Sequence, residues 1–201
     1  VFRGNTSDTV TVTDQIEVIR KRFGIEEVVF VGDRGMVKSK GKEALTANGF
    51  RYITALTDAQ IRSLLKRGVI QLDLFDECLC EVEQGGRRLI LKRNEATRRK
   101  EMSRCEDKLK QLTKRIEARN TFMQGSKQGK PQSGLRQLTA WIARHRLTAY
   151  VTLLLDGNLI RMEMDEEKKA CAMLLNGCYV LETDVPQSKM DAVTIDARYR
   201  D

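Results

Sequence analysis

Val28-Val29-Phe30-Val31-Gly32-Asp33-Arg34-Gly35-Met36 is the stretch that decides the fold reading. Four consecutive β-branched or aromatic residues, closed by a glycine, suit a strand buried on both faces, as in largely parallel sheets. A helix pattern precedes it: Thr13 or Asp14 stands as N-cap, Ile16, Ile19 and Phe23 share one face, and Gly24 ends the run. Further upstream, Val1-Phe2 reads as the end of a strand and Gly4-Asn5-Thr6-Ser7-Asp8 as a polar loop. A second helix-then-strand unit follows, Lys42 to Asn48 and then Phe50 to Leu56. Thr57 or Asp58 caps a third helix, with Ile61, Leu64 and Leu65 inward and Gly68 as its stop. The alternation is that of an α/β domain.

Beyond residue 70 the grammar changes. Leu79–Val82 and Arg88–Leu91 flank Gln84-Gly85-Gly86 and read as a β-hairpin. From Glu95 to about Asn120 runs a long charged helix whose apolar residues Met102, Cys105, Leu109, Leu112 and Ile116 form one stripe. That stripe suits an amphipathic helix laid on a sheet or partner helix better than a short coiled coil. Residues 120–134 read as a Gly/Ser/Pro loop, and Leu135 to His145 as a short helix carrying Trp141. Tyr150–Leu155 and Leu159–Glu163 form a second hairpin, Asp165 caps a last helix, and Cys178–Leu181 is a strand. Tyr199-Arg200-Asp201 lies within a further helix pattern. The strand at 28–32 is expected beside that at 50–55, with 178–182 in the same sheet and 79–163 leaving it as an insertion.

Charge is distributed unevenly. The 201 residues carry 36 Lys and Arg against 28 Asp and Glu, for a net +8. Residues 1–86 hold 12 basic and 13 acidic side chains, residues 87–146 hold 18 and 5, and residues 147–201 hold 6 and 10. A block of +13 between flanks of −1 and −4 is what a polyanion-binding insertion in an acidic-site domain presents. The competing reading is a solvated helix face. Arg98, Arg99 and Lys100 are the densest cations in that block. No apolar run is long enough to span a membrane, and no signal peptide opens the chain. Five scattered cysteines, Cys78, Cys80, Cys105, Cys171 and Cys178, suit a reducing cytoplasm rather than a disulfide framework. Cys78 and Cys80 alternate on a strand and face opposite ways.

Asp33 is the sharpest candidate for chemistry. It follows the buried strand, where open α/β sheets bind ligands, and glycines on either side allow close backbone approach. A carboxylate there suits a cation; the other reading is a helix cap. Arg34 is read either as a phosphate contact or as a brace for Asp33. Trp141 is read as core, or as a stacking surface for a displaced base. His145, between two arginines, reads as a surface residue, and Asp8 and Asp184 as loop and cap residues near the site.

Gly4–Asp8, Arg22-Phe23-Gly24 and Val28–Met36, at these separations, resemble the DDE transposases of bacterial insertion sequences, closest to the insertion-sequence-four group. Gly49-Phe50-Arg51-Tyr52-Ile53, Arg88–Asn94 with its basic helix, and Gly177–Asp184 extend the resemblance over essentially the whole chain. It implies a ribonuclease-H-like mixed sheet with helices, interrupted by a β-rich and helical insertion. On that expectation residues 1–70 open the catalytic core, 71–163 are the basic insertion, and 164–201 return to the core. The resemblance further implies Mg²⁺- or Mn²⁺-dependent cutting and joining of double-stranded DNA at two ions held by Asp, Asp and Glu. Asp33 matches the second Asp, and Tyr199 matches a Tyr that the Glu follows by seven residues. The first Asp is implied upstream of Val1 and the Glu beyond Asp201, so the chain is expected to be an inactive fragment with one acid of three. Asn176 stands where many relatives have Asp before Gly. Arg34, Arg98, Arg99, Lys100 and Tyr199 are the expected DNA contacts, a homodimer the expected assembly, and the cytoplasm, on the nucleoid, the expected location. The alternative is a non-catalytic basic α/β module that binds nucleic acid and uses Asp33 only as a cap.

Overall fold

The computed structural model describes residues 22, 24, 27–34, 39–125 and 130–201. The loop at 4–8, and the helix expected over 13–23 apart from Arg22, lie outside the described residues. The chain is mixed α/β and divides into two compact units, residues 1–94 with 178–201 and residues 95–177.

The first unit is built on a mixed sheet of five strands in the order β1-β2-β7-β4-β3. These are β1 (Val29–Gly32), β2 (Arg51–Ala55), β3 (Cys80–Gln84), β4 (Arg87–Arg93) and β7 (Cys178–Thr183). β1 and β2 run parallel, with Gly32 opposite Thr54; β7 pairs antiparallel with β2 on one side and β4 on the other. Successive β2 side chains point to opposite faces, and each face has its own core. Tyr52 joins Leu45, Phe50, Val28 and Phe30 beneath α1 (Ser39–Ala47). Ile53 and Ala55 join Ile90, Leu181 and Ile195, the last on α6 (Ala192–Arg200). Thr57 and Gln60 cap α2 (Asp58–Lys66) reciprocally, each side chain taking the other's backbone N–H.

The β3–β4 hairpin corrects the expected domain boundaries. The sequence reading places it in an insertion beginning at 71; in the structure it completes the five-stranded sheet, and the second unit begins at Glu95. Leu89, Ile90 and Leu91 are each at most 3% exposed, the burial of an inner strand. A hairpin's turn and alternation are local, whereas its attachment to β7 is a pairing with residues about ninety positions away. The return is also later than expected, at Cys178 rather than 164.

The second unit holds α3 (Glu95–Gly125), α4 (Pro131–Arg144), the hairpin β5 (Val151–Asp156) with β6 (Leu159–Met164), and α5 (Glu166–Met173). Leu112, Ile116 and Met123 of α3 and Leu138 and Ile142 of α4 pack with Val151, Leu153 and Ile160 into one core. The amphipathic-helix reading of the stripe thus holds, although α3 runs five residues past Asn120. α4 starts four residues before Leu135 because Pro131 takes its first position, where proline's missing N–H costs nothing. The Asn120 amide clasps both backbone groups of Ile160, Oδ1 accepting from its N–H at 2.9 Å and Nδ2 donating to its carbonyl at 2.9 Å. On α5, Ala170, Cys171 and Leu174 are exposed rather than packed. No helix among the described residues is long and apolar enough to cross a membrane.

Candidate functional site

Asp33 stands one residue beyond β1, its carboxylate exposed above buried Gly32. Oδ1 accepts from the Arg34 N–H at 2.6 Å and from the Tyr199 hydroxyl at 3.2 Å. Beneath it, the Thr54 hydroxyl on β2 lies 3.5 Å from the Asp33 carbonyl oxygen, which fixes the end of β1 against its neighbour. α1 is described from Ser39 onward, so the capping reading of Asp33 falls on residues outside the described ones. Arg34 does not brace Asp33 through its side chain. Its guanidinium donates to Asp58 at 3.2 Å, an exposed pair that contributes little stability.

Tyr199 reaches Asp33 because α6 is held to the sheet by buried charge. Asp196, 1% exposed, accepts from the Tyr179 hydroxyl at 2.6 Å, from Lys92 at 3.4 Å and from Arg200. Arg88, 6% exposed, donates to the carbonyls of Val185 and Met190 at 2.8 Å each and pairs with Glu81, tying down the segment that leads into α6. The Asp191 carboxylate caps the helix through the Thr194 N–H, and the Thr194 hydroxyl together with that N–H holds its pKa below the ordinary value. Burial, then the bond to Asp33 and that group's charge, raise the Tyr199 phenol above its ordinary value.

Sequence reading missed Asp196, Arg88 and Glu182, all charged residues in strand or helix patterns that look like solvent-facing positions. Glu182 on β7 accepts from Lys42 at 2.9 Å, from the Tyr52 hydroxyl at 2.8 Å and from Arg87 at 3.2 Å. Asp184 was expected near the site as a cap. Its carboxylate accepts from the Tyr52 N–H on β2 at 2.9 Å and from the Thr46 hydroxyl at 3.1 Å and forms an ion pair with Arg51 at 3.6 Å, and these partners occupy it. A concavity of about 450 Å³ lies among Lys42, Thr46, Arg51, Tyr52 and Arg87, but Glu182 and Asp184 already answer its cations.

The basic block does not act as one surface. Arg87, Arg88 and Lys92 belong to the first unit and are committed to Glu182, Glu81 and Asp196. In the second unit, Arg98 is paired with Glu95 at 2.8 Å, whereas Arg99 and Lys100 are exposed on the same helix. Trp141 is half-buried against the second unit's core, with the His145 ring 3.9 Å away and Arg115 5.4 Å from its centroid. His145 is half-buried by that stacking. None of the five cysteines forms a disulfide.

All four tyrosines, Tyr52, Tyr150, Tyr179 and Tyr199, have phenols raised above 10.0, chiefly by burial. The folded chain therefore keeps phenol protons that the unfolded chain loses. The stability they contribute is whole below pH 10.0 and is lost as the pH rises beyond it. Tyrosinate absorbance should stay low in the native chain above pH 10.0 and appear together with cooperative unfolding. A titration in which two or more tyrosines ionise near 10.0 with the far-UV signal unchanged counts against this burial.

Asp33 supplies a carboxylate to the end of β1, and among the described residues no group of three or more His, Cys, Asp or Glu converges as an ion site. The described residues therefore do not by themselves fit the two-ion arrangement that the resemblance implies. A comparison of the chain with protein-family models, with curated proteins and with solved structures finds no match in any of the three.

Proposed function

We propose that this chain is part of the catalytic domain of a DDE-type DNA transposase, with a ribonuclease-H-like core in the first unit and a DNA-binding insertion in the second. One observation carries the reading: the Tyr199 hydroxyl meets Asp33 at the carboxyl end of β1, although 166 residues separate them. These are two of the positions matched to the family. The resemblance puts the Glu seven residues after Tyr199, and seven residues of continued helix are about two turns, which would set the Glu on the face that Tyr199 turns to Asp33. Asp33 would be one of the residues that hold divalent ions in the complete site, and the chemistry those ions would supply is activation of the attacking oxygen and stabilisation of the leaving one. Asp33's part is to present one carboxylate, with Oδ1 held by Tyr199 and Arg34. A dimer on double-stranded DNA is the assembly that goes with this function.

The second reading is a basic nucleic-acid-binding module without catalysis. It is favoured by the absence, among the described residues, of any group of three or more acids that could hold an ion. Both readings require DNA binding, which is the first test. Affinity for a labelled duplex should fall steeply as salt rises, because each neutralised phosphate releases condensed counterions. Reversing the charges of Arg98, Arg99 and Lys100 should weaken binding to all sequences alike and lower the salt slope by roughly one per lost contact. Affinity indifferent to salt and to these changes would leave the cations as a solvated face.

A further inference from the structure

The turn that ends α4 places an arginine where helix geometry calls for glycine. The Leu147 N–H donates to the Ile142 carbonyl at 2.9 Å and the Arg146 N–H to the Ala143 carbonyl at 3.1 Å. Leu147 and Ile142 are both buried in the second unit's core. These are the two backbone bonds and the apolar contact of a Schellman motif, whose residue after the cap adopts the left-handed conformation. That residue is Arg146, with φ 60°, and it is the only non-glycine among the described residues with positive φ. A side chain there is strained, and glycine relieves the strain. A strained residue in an otherwise regular motif points to a use for its side chain.

The surroundings indicate that use. Arg146 and Arg144 are exposed on either side of His145. Lys108 of α3 donates to the His145 carbonyl at 3.3 Å, and Arg115 of α3 lies over the Trp141 ring. None of these four cations is paired with a described carboxylate: the ion pairs of the second unit are Arg98–Glu95, Arg161–Asp156, Lys168–Asp165 and Lys169–Glu166. No acidic residue occurs between Glu117 and Asp156. Lys108 and Arg115 on α3, and Arg144 and Arg146 at the end of α4, thus leave positive charge that no described carboxylate answers where α3 passes the end of α4, and an anion of matching geometry is the partner such charge takes.

We propose that this end of α4 is a contact for the backbone of double-stranded DNA, and that Arg146 is its phosphate-binding residue, held at a strained position for that purpose. The inference rests on the DNA-binding reading above and locates a second part of that interface, apart from Arg98, Arg99 and Lys100.

The test uses the 201-residue chain, its melting midpoint, and its affinity for a labelled duplex of mixed sequence over a range of salt. Arg146→Gly should raise the midpoint by roughly 2–5 °C. The same change should weaken DNA binding by roughly three- to tenfold and lower the salt slope by about one. Arg146→Lys, which keeps charge and strain, should retain most of the affinity. Lys168→Gln, an equal loss of charge at a paired site, should leave binding within about twofold. Unchanged affinity in Arg146→Gly, while reversal at Arg98, Arg99 and Lys100 still weakens binding, overturns this inference and leaves the DNA-binding reading standing. A midpoint that does not rise in Arg146→Gly overturns the strain argument on which it is built. Indifference of binding to both sets of changes overturns the two together.

Discussion

Replacing Glu182 by alanine should lower the stability of the first unit by about 3–5 kcal/mol, the range for removing one partner of a buried ion pair. The side chains of Lys42 and Glu182 are 7% and 9% exposed and 2.9 Å apart. The substitution strands the Lys42 ammonium away from water, leaves the Tyr52 hydroxyl without its 2.8 Å acceptor, and frees Arg87. The pair itself is not the source of that energy, because the desolvation of two charges cancels most of their attraction. Removing both charges together, as Lys42→Met with Glu182→Leu, should therefore recover most of the loss. Chemical denaturation of the three variants decides it. A single variant that loses less than about 1 kcal/mol would mean that Glu182 behaves as an exposed pair does.

The same pair shows what sequence reading can reach. β1, β2 and β7 are legible because each is a short apolar run bounded by glycine or polar residues, and α2 because Thr57 and Gln60 spell a capping box. Asp33 is legible because a strand end is a place where chemistry happens. Glu182, Arg88 and Asp196 are not. A charged residue in a strand or helix is read as solvent-facing, since an unpaired charge is almost never buried. These three are buried only because partners come from elsewhere in the chain, Lys42 from 140 residues away and Lys92 from 104. The placement of the β3–β4 hairpin was hidden for the same reason, as its partner strand lies across the entire second unit. Net charge misled in the opposite direction: a count of cations cannot separate Arg88, spent on Glu81 and two carbonyls, from Arg146, which no carboxylate among the described residues answers.

Asp33→Asn should separate cleavage from binding. In a transposase whose remaining carboxylates are in place, the substitution should abolish Mg²⁺- or Mn²⁺-dependent strand cleavage, lowering its rate by at least about a thousandfold, because one of the three charges that would hold the ions is lost. DNA affinity should change by less than about twofold, since the unpaired cations lie on α3 and at the end of α4 and each phosphate contact acts through its own charge. Asn keeps the shape of Asp and can still accept from the Arg34 N–H and the Tyr199 hydroxyl, so α6 and the end of β1 should stay in place. The 201-residue chain should give no nicking above a metal-free blank with either residue at 33, because no three acids converge among the described residues and both Asp58 and Asp184 are engaged, Asp58 with Arg34 and Asp184 with Tyr52, Thr46 and Arg51. A lone carboxylate leaves Mg²⁺ holding most of its water and has no means to place a second ion. Metal-dependent nicking of labelled duplex by the chain itself, lost in Asp33→Asn, would show that other acids of residues 1–201 complete the site and that the family's assignment of the missing two is wrong. A full-length enzyme that cuts normally with Asn at 33 would remove Asp33 from the chemistry and leave the second reading, a DNA-binding module, as the function of the fold.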